Sequence, residues 1–357
     1  MLIEENKPLA PFTTLGIGGP ARWFVEVKSE DDVAEAAAWA AERKAAVFVL
    51  GGGSNLLISD KGFDGLVIRV GLNGIERMES KAGSGEVVLR AAAGEEWEHC
   101  VQRTLTDNCA GLECLAGIPG TVGGTPVQNV GAYGQEVATV IERVRAFDLR
   151  GREFVEFSAA ECGFGYRSSR FNSSDRGRFV VTWVEYRLKP GGAATVRYAE
   201  LQKALAEGET AGAEPSLAEV AEAVRRVRQS KGMIIVEGDP DCRSAGSFFK
   251  NPVVSEEQIR QIAAGIGKEP PRFPAGAGAE NAGRVKVPAA WLIEQAGFAK
   301  GVALGAAGIS RRHTLALVNL GGASAEEILA LAERIRAAVE ERFGIRLEME
   351  PGMVGLE

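Results

Sequence analysis

Short apolar runs separated by glycine-rich loops dominate the first half of the chain. Residues 143–149 and 153–157 flank Arg150-Gly151 and predict a β-hairpin. Other runs have the length and the β-branched or aromatic content of buried strands. These runs are residues 45–50, 65–70, 86–93 and 178–188. Because strands outnumber helices in this half, the pattern does not favour a doubly wound parallel sheet.

A capping box is a serine followed three positions later by an acidic or amide residue, and it marks the start of a helix. Apolar residues at helical spacing occur mainly in the segments that follow such boxes. Ser29 and Asp32 begin an alanine-rich helix that extends to about Arg43. Trp97, Val101 and Leu105 recur every fourth residue and predict a helix of about 12 residues. The helices predicted in the second half begin at Ser216, Ser255, Pro288 and Ser324, and Gly344 ends the last of them.

The segments between these elements are of three kinds. Residues 189–194, with the sequence KPGGAA, are a plausible domain edge. Residues 272–283 contain a proline and several glycines, which predicts a loop. Residues 345–350 alternate apolar and charged side chains, which predicts a short strand at the tail.

Composition is typical of an ordinary globular protein of 357 residues, for which about two or three domains are expected. The net charge of −7 argues against a general binder of nucleic acids or anionic membranes. The chain has five cysteines and no C-x-x-C spacing, which favours a reducing compartment and makes a zinc site improbable. The amino-terminal residues lack a signal-peptide pattern, so we expect a cytoplasmic protein that does not enter a membrane.

Two glycine-rich stretches carry the strongest signal for ligand binding. Residues 117–134 read GIPGTVGGTPVQNVGAYG and contain no charge, and residues 51–57 read GGGSNLL directly after an apolar run. Neither stretch matches the Rossmann or the P-loop pattern. Each alone is equally consistent with a tight turn. Together they predict two cradles of unshielded backbone N–H groups that hold the diphosphate of one dinucleotide cofactor.

Three further motifs carry groups capable of chemistry. Arg167, in YRSS, presents a planar cation that can bind a carboxylate at two points, although a surface salt bridge is the commoner role. Ser247 lies in GSFFKNP, which is consistent with either an edge strand with a buried phenylalanine pair or a hydroxyl held over a reacting carbon. Glu348 and Glu350 lie on the same side of an extended tail, as either a solvated pair or a candidate acid.

The sequence contains too few histidines for a catalytic or metal site built on them. His99 and His313 are the only histidines, so neither a Ser-His-Asp triad nor a histidine metal cluster is expected. No metal ligand set is therefore predicted.

The motifs together resemble those of the UDP-N-acetylenolpyruvoylglucosamine reductase family, also called UDP-N-acetylmuramate dehydrogenases. The matching segments are GGGSNLL, the 117–134 ribbon, YRSS, AGSFFKNP and the carboxyl-terminal LEME, in family order. The resemblance implies an α+β fold, with a two-part FAD-binding half of the vanillyl-alcohol-oxidase type and an α/β substrate-binding domain. It implies FAD-binding subdomains at residues 1–70 and 71–190, and a substrate domain at 191–344 with a lid near 195–205. Residues 345–357 are expected to return to the active site.

The resemblance also implies that FAD is bound noncovalently, since GGGSNLL contains no histidine that could attach the flavin. The first stretch contributes Gly51, Gly52, Gly53, Ser54 and Asn55 to the expected FAD site. The ribbon contributes Gly117, Pro119, Gly120, Thr121, Gly123, Gly124, Gln128, Asn129, Gly131, Ala132 and Tyr133.

The implied reaction consists of two half-reactions at one flavin. NADPH reduces FAD, and flavin N5 then passes hydride to the enolpyruvyl group of the nucleotide-sugar substrate. By resemblance Arg167 polarises the substrate carboxylate, Ser247 delivers the proton and Glu350 helps to stabilise the enolate. Since Met349 stands where family members often have proline, a shift of the last role to Glu348 is a second possibility. The residues expected to position the substrate are Tyr166, Tyr198, Lys231, Asn251 and Gln295.

Two alternative functions remain open at this point. One is a related FAD oxidase that acts on another small molecule, and the other is a catalytically silent nucleotide-sugar binding protein. The YRSS, GSFFKNP and terminal glutamate motifs, all present, argue against both alternatives. A monomer is expected.

Overall fold

The computed structural model describes residues 1–79, 85–207, 214–275 and 282–356. Half of the predicted loop at 272–283 lies outside these residues, and within its described part Phe273–Pro274 form a two-residue strand. The α-helices of the described chain are α1 Glu30–Glu42, α2 Trp97–Thr106, α3 Ala199–Ala206, α4 Leu217–Ser230, α5 Glu256–Ile266, α6 Ala289–Gln295 and α7 Ala325–Phe343.

The strands follow in chain order. They are β1 Glu4–Pro8, β2 Pro20–Val27, β3 Ala46–Leu50, β4 Leu56–Ile58, β5 Phe63–Val70, β6 Ile75–Glu79, β7 Val87–Ala92, β8 Cys109–Ala110, β9 Gly131–Ala132, β10 Gln135–Glu136, β11 Ile141–Asp148, β12 Glu153–Ser158, β13 Phe179–Pro190, β14 Val253–Ser255, β15 Phe273–Pro274, β16 Arg284–Lys286, β17 Ala303–Leu304, β18 Ala307–Ile309, β19 Leu317–Asn319 and β20 Gly352–Val354.

Backbone packing divides the chain into two compact units. The first contains Met1–Pro8, Pro20–Gly53 and Phe63–Ser230, and the second contains Leu9–Gly19, Ser54–Gly62 and Lys231–Glu357. The described residues 191–207 and 214–230 therefore pack with the first unit, beyond the predicted edge at 189–194. Packing units and functional domains are different divisions, so the three predicted domains stay a prediction.

The first unit is built on two sheets. The smaller has the strand order β1-β2-β5-β3, and only its β2-β5 and β5-β3 pairs are parallel. The larger has the order β12-β11-β13-β7-β6 and is antiparallel throughout. The expectation that this half is not a doubly wound parallel sheet is confirmed, and so is the hairpin that joins β11 to β12. Sequence reasoning missed β1 and β2 of the smaller sheet and β6 of the larger one.

The second unit combines helices with small sheets. Ser255 and Ser324 form capping boxes at α5 and α7, and α7 ends at Gly344, with a φ of 64°, as predicted. Two three-stranded sheets, β14-β16-β15 and β17-β18-β19, were not predicted because their strands are two or three residues long. The tail strand predicted at 345–350 is wrong: that segment forms only an isolated bridge between Met349 and Phe249. The chain then pairs through β20 with β4 in parallel.

The end of β11 carries a buried carboxylate that is paired with an arginine. Arg178 donates to Asp148 from Nη2 at 2.6 Å and from Nε at 3.1 Å, and the backbone N–H of Arg150 donates to the same carboxylate. These donors, Arg178 above all, lower the pKa of Asp148 to about 2. Because the carboxylate is nearly inaccessible to solvent, the pair is screened far less than a surface ion pair.

We expect Asp148→Asn to lower the free energy of unfolding by about 2 kcal/mol at neutral pH. The folded pKa lies below the ordinary value of 3.8, so this stabilisation is present above about pH 4 and is lost as the pH falls towards 2. The difference in melting temperature between the variant and the wild type should therefore stay constant from pH 7 to about pH 5 and shrink by about half at pH 3. A matched control is Asp64→Asn, which removes the exposed pair with Arg22 and should change stability little at any pH. A difference in melting temperature between Asp148→Asn and the wild type that stays constant from pH 7 to pH 3 would contradict the prediction.

Candidate functional site

The two glycine loops meet in the first unit. Gly51, Gly52 and Gly53 follow the buried end of β3. A Cβ atom placed on Gly52 would lie 2.6 Å from the Cα of Gly120, and one placed on Gly51 would lie 2.9 Å from Thr121 Oγ1. Only a residue without a side chain allows two backbones to approach this closely. The structure thus brings together two stretches that lie about 70 positions apart.

The ribbon was expected to present a row of unshielded N–H groups, and this is wrong for three of its glycines. Gly123 donates to the carbonyl of Ala93 at 2.8 Å, Gly124 donates to that of Thr121 at 3.0 Å, and Gly117 donates to the Glu98 carboxylate. The Gly124 bond belongs to a one-turn 3₁₀ helix at Val122–Gly124, whereas the Gly123 and Gly117 bonds go to distant segments of the chain.

The remaining donors lie where the two loops meet. Among the described residues, no hydrogen bond uses the backbone N–H of Gly52, Gly53 or Gly120. The Thr121 hydroxyl is buried and likewise has no hydrogen-bond partner in the described part of the chain. An unsatisfied buried hydroxyl is costly, so its presence beside unpaired N–H groups indicates a place for a ligand with acceptor oxygens. These residues fit a cofactor diphosphate.

The second part of the ribbon is held by its own side chains. Asn129 is buried; its amide nitrogen donates to Glu136 Oε2 at 2.9 Å and to the Gly165 carbonyl at 3.0 Å, and its amide oxygen accepts from Ala138. The side chain is therefore engaged within the protein and shapes the loop. Gln128 and Ala132 are half-buried beside it, as is Pro119 earlier in the ribbon.

Arg167 packs against this part of the ribbon. Its Nη2 donates to the carbonyl of Gly131 at 2.7 Å, and its guanidinium lies 5.5 Å from the ring centroid of Tyr166. Arg167, Asn129 and Tyr133 all have φ values between 46° and 53°, in the left-handed region that non-glycine residues rarely adopt. Such strain concentrates at functional sites, where the surrounding structure maintains it.

The predicted lid residue also lies next to the ribbon. Tyr198 begins α3, is 43% exposed and meets the ring of Tyr133 edge-on at 6.1 Å between centroids. Burial raises the pKa of Tyr133 to about 12, so this phenol stays protonated at neutral pH.

The second unit places Ser247 between two anchored residues. Gly246, with a φ of 71°, precedes it, and Phe248 and Phe249 follow with 0% and 1% exposure. Phe248 donates its N–H to the Leu315 carbonyl at 2.8 Å, and its own carbonyl accepts from Glu350 N at 3.0 Å. The buried phenylalanine pair considered for this motif is present, and it is what holds the half-buried Ser247 in place.

The two tail glutamates have different surroundings. Glu348 lies opposite Lys250 and forms an ion pair with its Nζ while remaining 70% exposed. Glu350 lies opposite Phe248, the residue that follows Ser247 in the sequence. The backbone carbonyl of Glu350 accepts from Asn55 Nδ2 at 3.4 Å. The environment of Glu348 is that of a solvated surface pair, whereas Glu350 is half-buried.

The other predicted substrate residues are spread over the second unit. Asn251 Oδ1 accepts the N–H of Ala289 at 2.8 Å and so contacts the first turn of α6, and Gln295 is the last residue of that helix. Lys231 is half-buried and directly follows α4 in sequence. Ser54 accepts from the Thr14 hydroxyl through its carbonyl at 3.4 Å.

Sequence reasoning missed three charged residues near the start of the ribbon, two of which contact Gly117 directly. Glu98 accepts the N–H of Gly117, Arg225 pairs with Glu98, and Arg228 Nε donates to the Gly117 carbonyl at 3.0 Å. Desolvation lowers the pKa of Arg228. They lie on α2 and α4, and no local sequence signal separates them from ordinary helix-surface charges.

Comparison with known proteins decides the family. Residues 21–155 match a family described as an FAD binding domain. Residues 239–354 match the family described as UDP-N-acetylenolpyruvoylglucosamine reductase, C-terminal domain. A UDP-N-acetylenolpyruvoylglucosamine reductase of Thermobifida fusca is 44% identical over 99% of this chain and 98% of its own length.

The chain belongs to the UDP-N-acetylenolpyruvoylglucosamine reductase family. A reductase of the same name from Streptomyces coelicolor is 45% identical over 99% of this chain and 90% of its own length. A crystal structure of the Thermus caldophilus reductase superposes with a TM-score of 0.64 at 28% identity and covers 99% of both chains. The family and the α+β fold with an FAD-binding domain are therefore confirmed, and the protein is an FAD-containing oxidoreductase.

The described residues contain neither a metal-binding cluster nor a membrane-spanning helix. Within them, no group of three or more histidine, cysteine or acidic residues is arranged to hold a metal ion. No helix in the same part of the chain is long and apolar enough to span a bilayer.

Proposed function

We propose that the protein reduces UDP-N-acetylglucosamine enolpyruvate to UDP-N-acetylmuramate with NADPH, through noncovalently bound FAD, in peptidoglycan precursor synthesis. The observation that carries the proposal is the meeting of the two glycine loops at Gly52 and Gly120, beside the unsatisfied Thr121 hydroxyl. It occurs in a chain whose FAD-binding and reductase segments both match the family. The bound FAD supplies a hydride acceptor for NADPH and a hydride donor for the substrate.

The residues proposed to contact FAD include hydrogen-bond donors and glycines that leave space for the cofactor beside the backbone. The N–H groups of Gly52, Gly53 and Gly120 and the Thr121 hydroxyl are the groups proposed to bind the diphosphate. Gly124 has no atom within 4 Å of the position that a Cβ would take. Since its N–H is already bonded to Thr121, Gly124 is proposed to provide space for the cofactor and not a hydrogen bond. The remaining proposed FAD contacts are Gly51, Ser54, Asn55, Gly117, Pro119, Gly123, Gln128, Asn129, Gly131, Ala132 and Tyr133.

Arg167, Ser247 and Glu350 are proposed to act on the enolpyruvyl group. A guanidinium held at Gly131 supplies a fixed positive charge for the substrate carboxylate, on which negative charge accumulates in the transition state. The Ser247 hydroxyl gives up its proton to the carbon next to that carboxylate. An unperturbed serine is a poor acid, so its fixed position matters more than its pKa, and the receiving carbanion is a strong base.

Glu350 is proposed to stabilise the enolate formed in this step. The structure supports this choice over Glu348, because Lys250 already pairs with Glu348 at the solvent-exposed surface. Tyr166, Tyr198, Lys231, Asn251 and Gln295 are proposed to position the nucleotide sugar. Of these, Lys231 carries the positive charge suited to a diphosphate.

A cytoplasmic location is proposed together with this function. All five cysteines are buried and free, as expected of a chain that folds in a reducing compartment.

Anaerobic spectroscopy of the FAD-loaded protein tests the proposal. We expect NADPH to bleach the flavin absorbance and the enolpyruvyl nucleotide sugar to restore it, with one equivalent of product formed per flavin reoxidised. The rate of flavin bleaching by NADH, measured in the same way, tests whether NADPH is the preferred reductant. Reoxidation by oxygen alone, with no response to the nucleotide sugar, would instead indicate the oxidase alternative and reject the proposed reaction.

A further inference from the structure

Two charged side chains form hydrogen bonds with the backbone of Gly117, one with its N–H and one with its carbonyl. Glu98 Oε2 accepts the Gly117 N–H at 2.5 Å, and Arg228 Nε donates to the Gly117 carbonyl at 3.0 Å. Gly117 has a φ of 71°, a conformation open to glycine at little cost. Charged hydrogen bonds thus fix both the donor and the acceptor of the residue at which the ribbon begins.

Glu98 is itself held by a second arginine. Its other oxygen, Oε1, accepts one hydrogen bond from Arg225 Nε at 2.8 Å and lies 2.7 Å from Arg225 Nη2, which completes a close ion pair. The buried Nη2 itself has no hydrogen-bond partner in the described part of the chain. Arg225 and Arg228 both lie on α4, whereas Glu98 lies on α2. The arrangement therefore ties two helices to one glycine of the loop.

Besides its bonds at Gly117, the ribbon has three backbone anchors further along. The N–H groups of Val122 and Gly123 donate to the carbonyls of Glu95 and Ala93, and the Gly120 carbonyl accepts from the Trp97 N–H. Gly117 lies three residues before Gly120, one of the proposed diphosphate donors. A displacement at Gly117 would consequently move that donor.

We propose that Glu98, Arg225 and Arg228 form a clamp on Gly117 that positions the ribbon for FAD. They are positioning residues that act through Gly117. The inference rests on the proposed role of the 117–124 segment in FAD binding. The clamp orders the loop before the cofactor arrives, so its loss appears as weaker FAD binding, because the cofactor must then order the loop itself.

The test compares Glu98→Ala with Glu222→Ala in apoprotein titrated with FAD. Glu222 pairs with the same Arg225 through Nη1 at 3.3 Å, is exposed, and lies outside the clamp. We expect Glu98→Ala to raise the Kd for FAD by about tenfold to a hundredfold, the usual effect of a lost charged hydrogen bond. Glu222→Ala should leave that Kd unchanged. Glu98→Gln, which keeps an acceptor for the Gly117 N–H, should recover part of the affinity.

Two further measurements separate positioning from general destabilisation. The melting temperatures of the two apoproteins should be similar, while the visible circular dichroism of bound flavin should change only in Glu98→Ala. If Glu98→Ala apoprotein does not fold, Arg228→Gln removes the clamp from its other side and should weaken FAD binding comparably. Wild-type affinity in a folded Glu98→Ala variant, or equal losses in Glu98→Ala and Glu222→Ala, would overturn the clamp. A wild-type protein that does not bind FAD would instead overturn the proposed function.

Discussion

Ser247→Ala should slow reduction of the enolpyruvyl substrate by several orders of magnitude while leaving flavin reduction by NADPH close to the wild-type rate. The variant removes the hydroxyl proposed to deliver the proton, and the backbone hydrogen bonds of Phe248 and Lys250 do not depend on that hydroxyl. Stopped-flow absorbance of the two half-reactions separates the effects, since only the oxidative half-reaction requires the proton.

Ser255→Ala is the matched control for this prediction. It also deletes one serine hydroxyl from the second unit, but that hydroxyl caps α5 by accepting the Gln258 N–H at 3.2 Å. It should cost about 1 kcal/mol of stability and leave both half-reactions unchanged. A wild-type rate of substrate reduction in Ser247→Ala would remove Ser247 from the mechanism.

Gly52→Ala should abolish FAD binding at micromolar concentrations and give a colourless protein. The new Cβ would lie 2.6 Å from Gly120 Cα and 2.9 Å from its carbonyl carbon. Both neighbours are backbone atoms, so they cannot move without separating the two loops that supply the proposed diphosphate donors. Flavin absorbance of the purified protein and FAD titration of the apoprotein measure the result.

Gly265→Ala controls for the substitution itself. Gly265 lies in α5, and a Cβ there has no atom within 4 Å. This variant should retain FAD and gain about 0.5–1 kcal/mol of stability, because alanine is the better helix former. If Gly52→Ala binds FAD with wild-type affinity, the close approach of the loops is not required for the cofactor site.

The elements that sequence reasoning predicted correctly are those with strong local signals. The capping boxes at Ser29, Ser255 and Ser324 mark helices where the structure has them, since a cap depends on residues three positions apart. The hairpin at Arg150-Gly151 is equally local. The short strands of the second unit gave no signal, because two or three residues do not establish a period.

The candidate site divides in the same way. The chemistry-bearing motifs around Gly52, Gly120, Arg167, Ser247 and Glu350 were all recognisable as motifs, and the family assignment that they implied is confirmed. The prediction that every ribbon glycine offers a free N–H failed, because a 3₁₀ turn and adjoining strands take up several of them. Glu98, Arg225 and Arg228 were missed because a helix-surface charge carries no sequence mark of the loop that it will contact.

By itself the sequence determined the family, the helix starts and the residue types available for chemistry, since these depend on neighbours in the chain. Only the tertiary structure decided which backbone N–H groups of the two glycine loops remain without a partner, and that Gly52 lies against Gly120. It also decided that Glu348 forms an ion pair with Lys250. The physical reason is that hydrogen-bond partners and close backbone approaches are set by segments far apart in the chain. No local pattern records which distant group will satisfy a given donor.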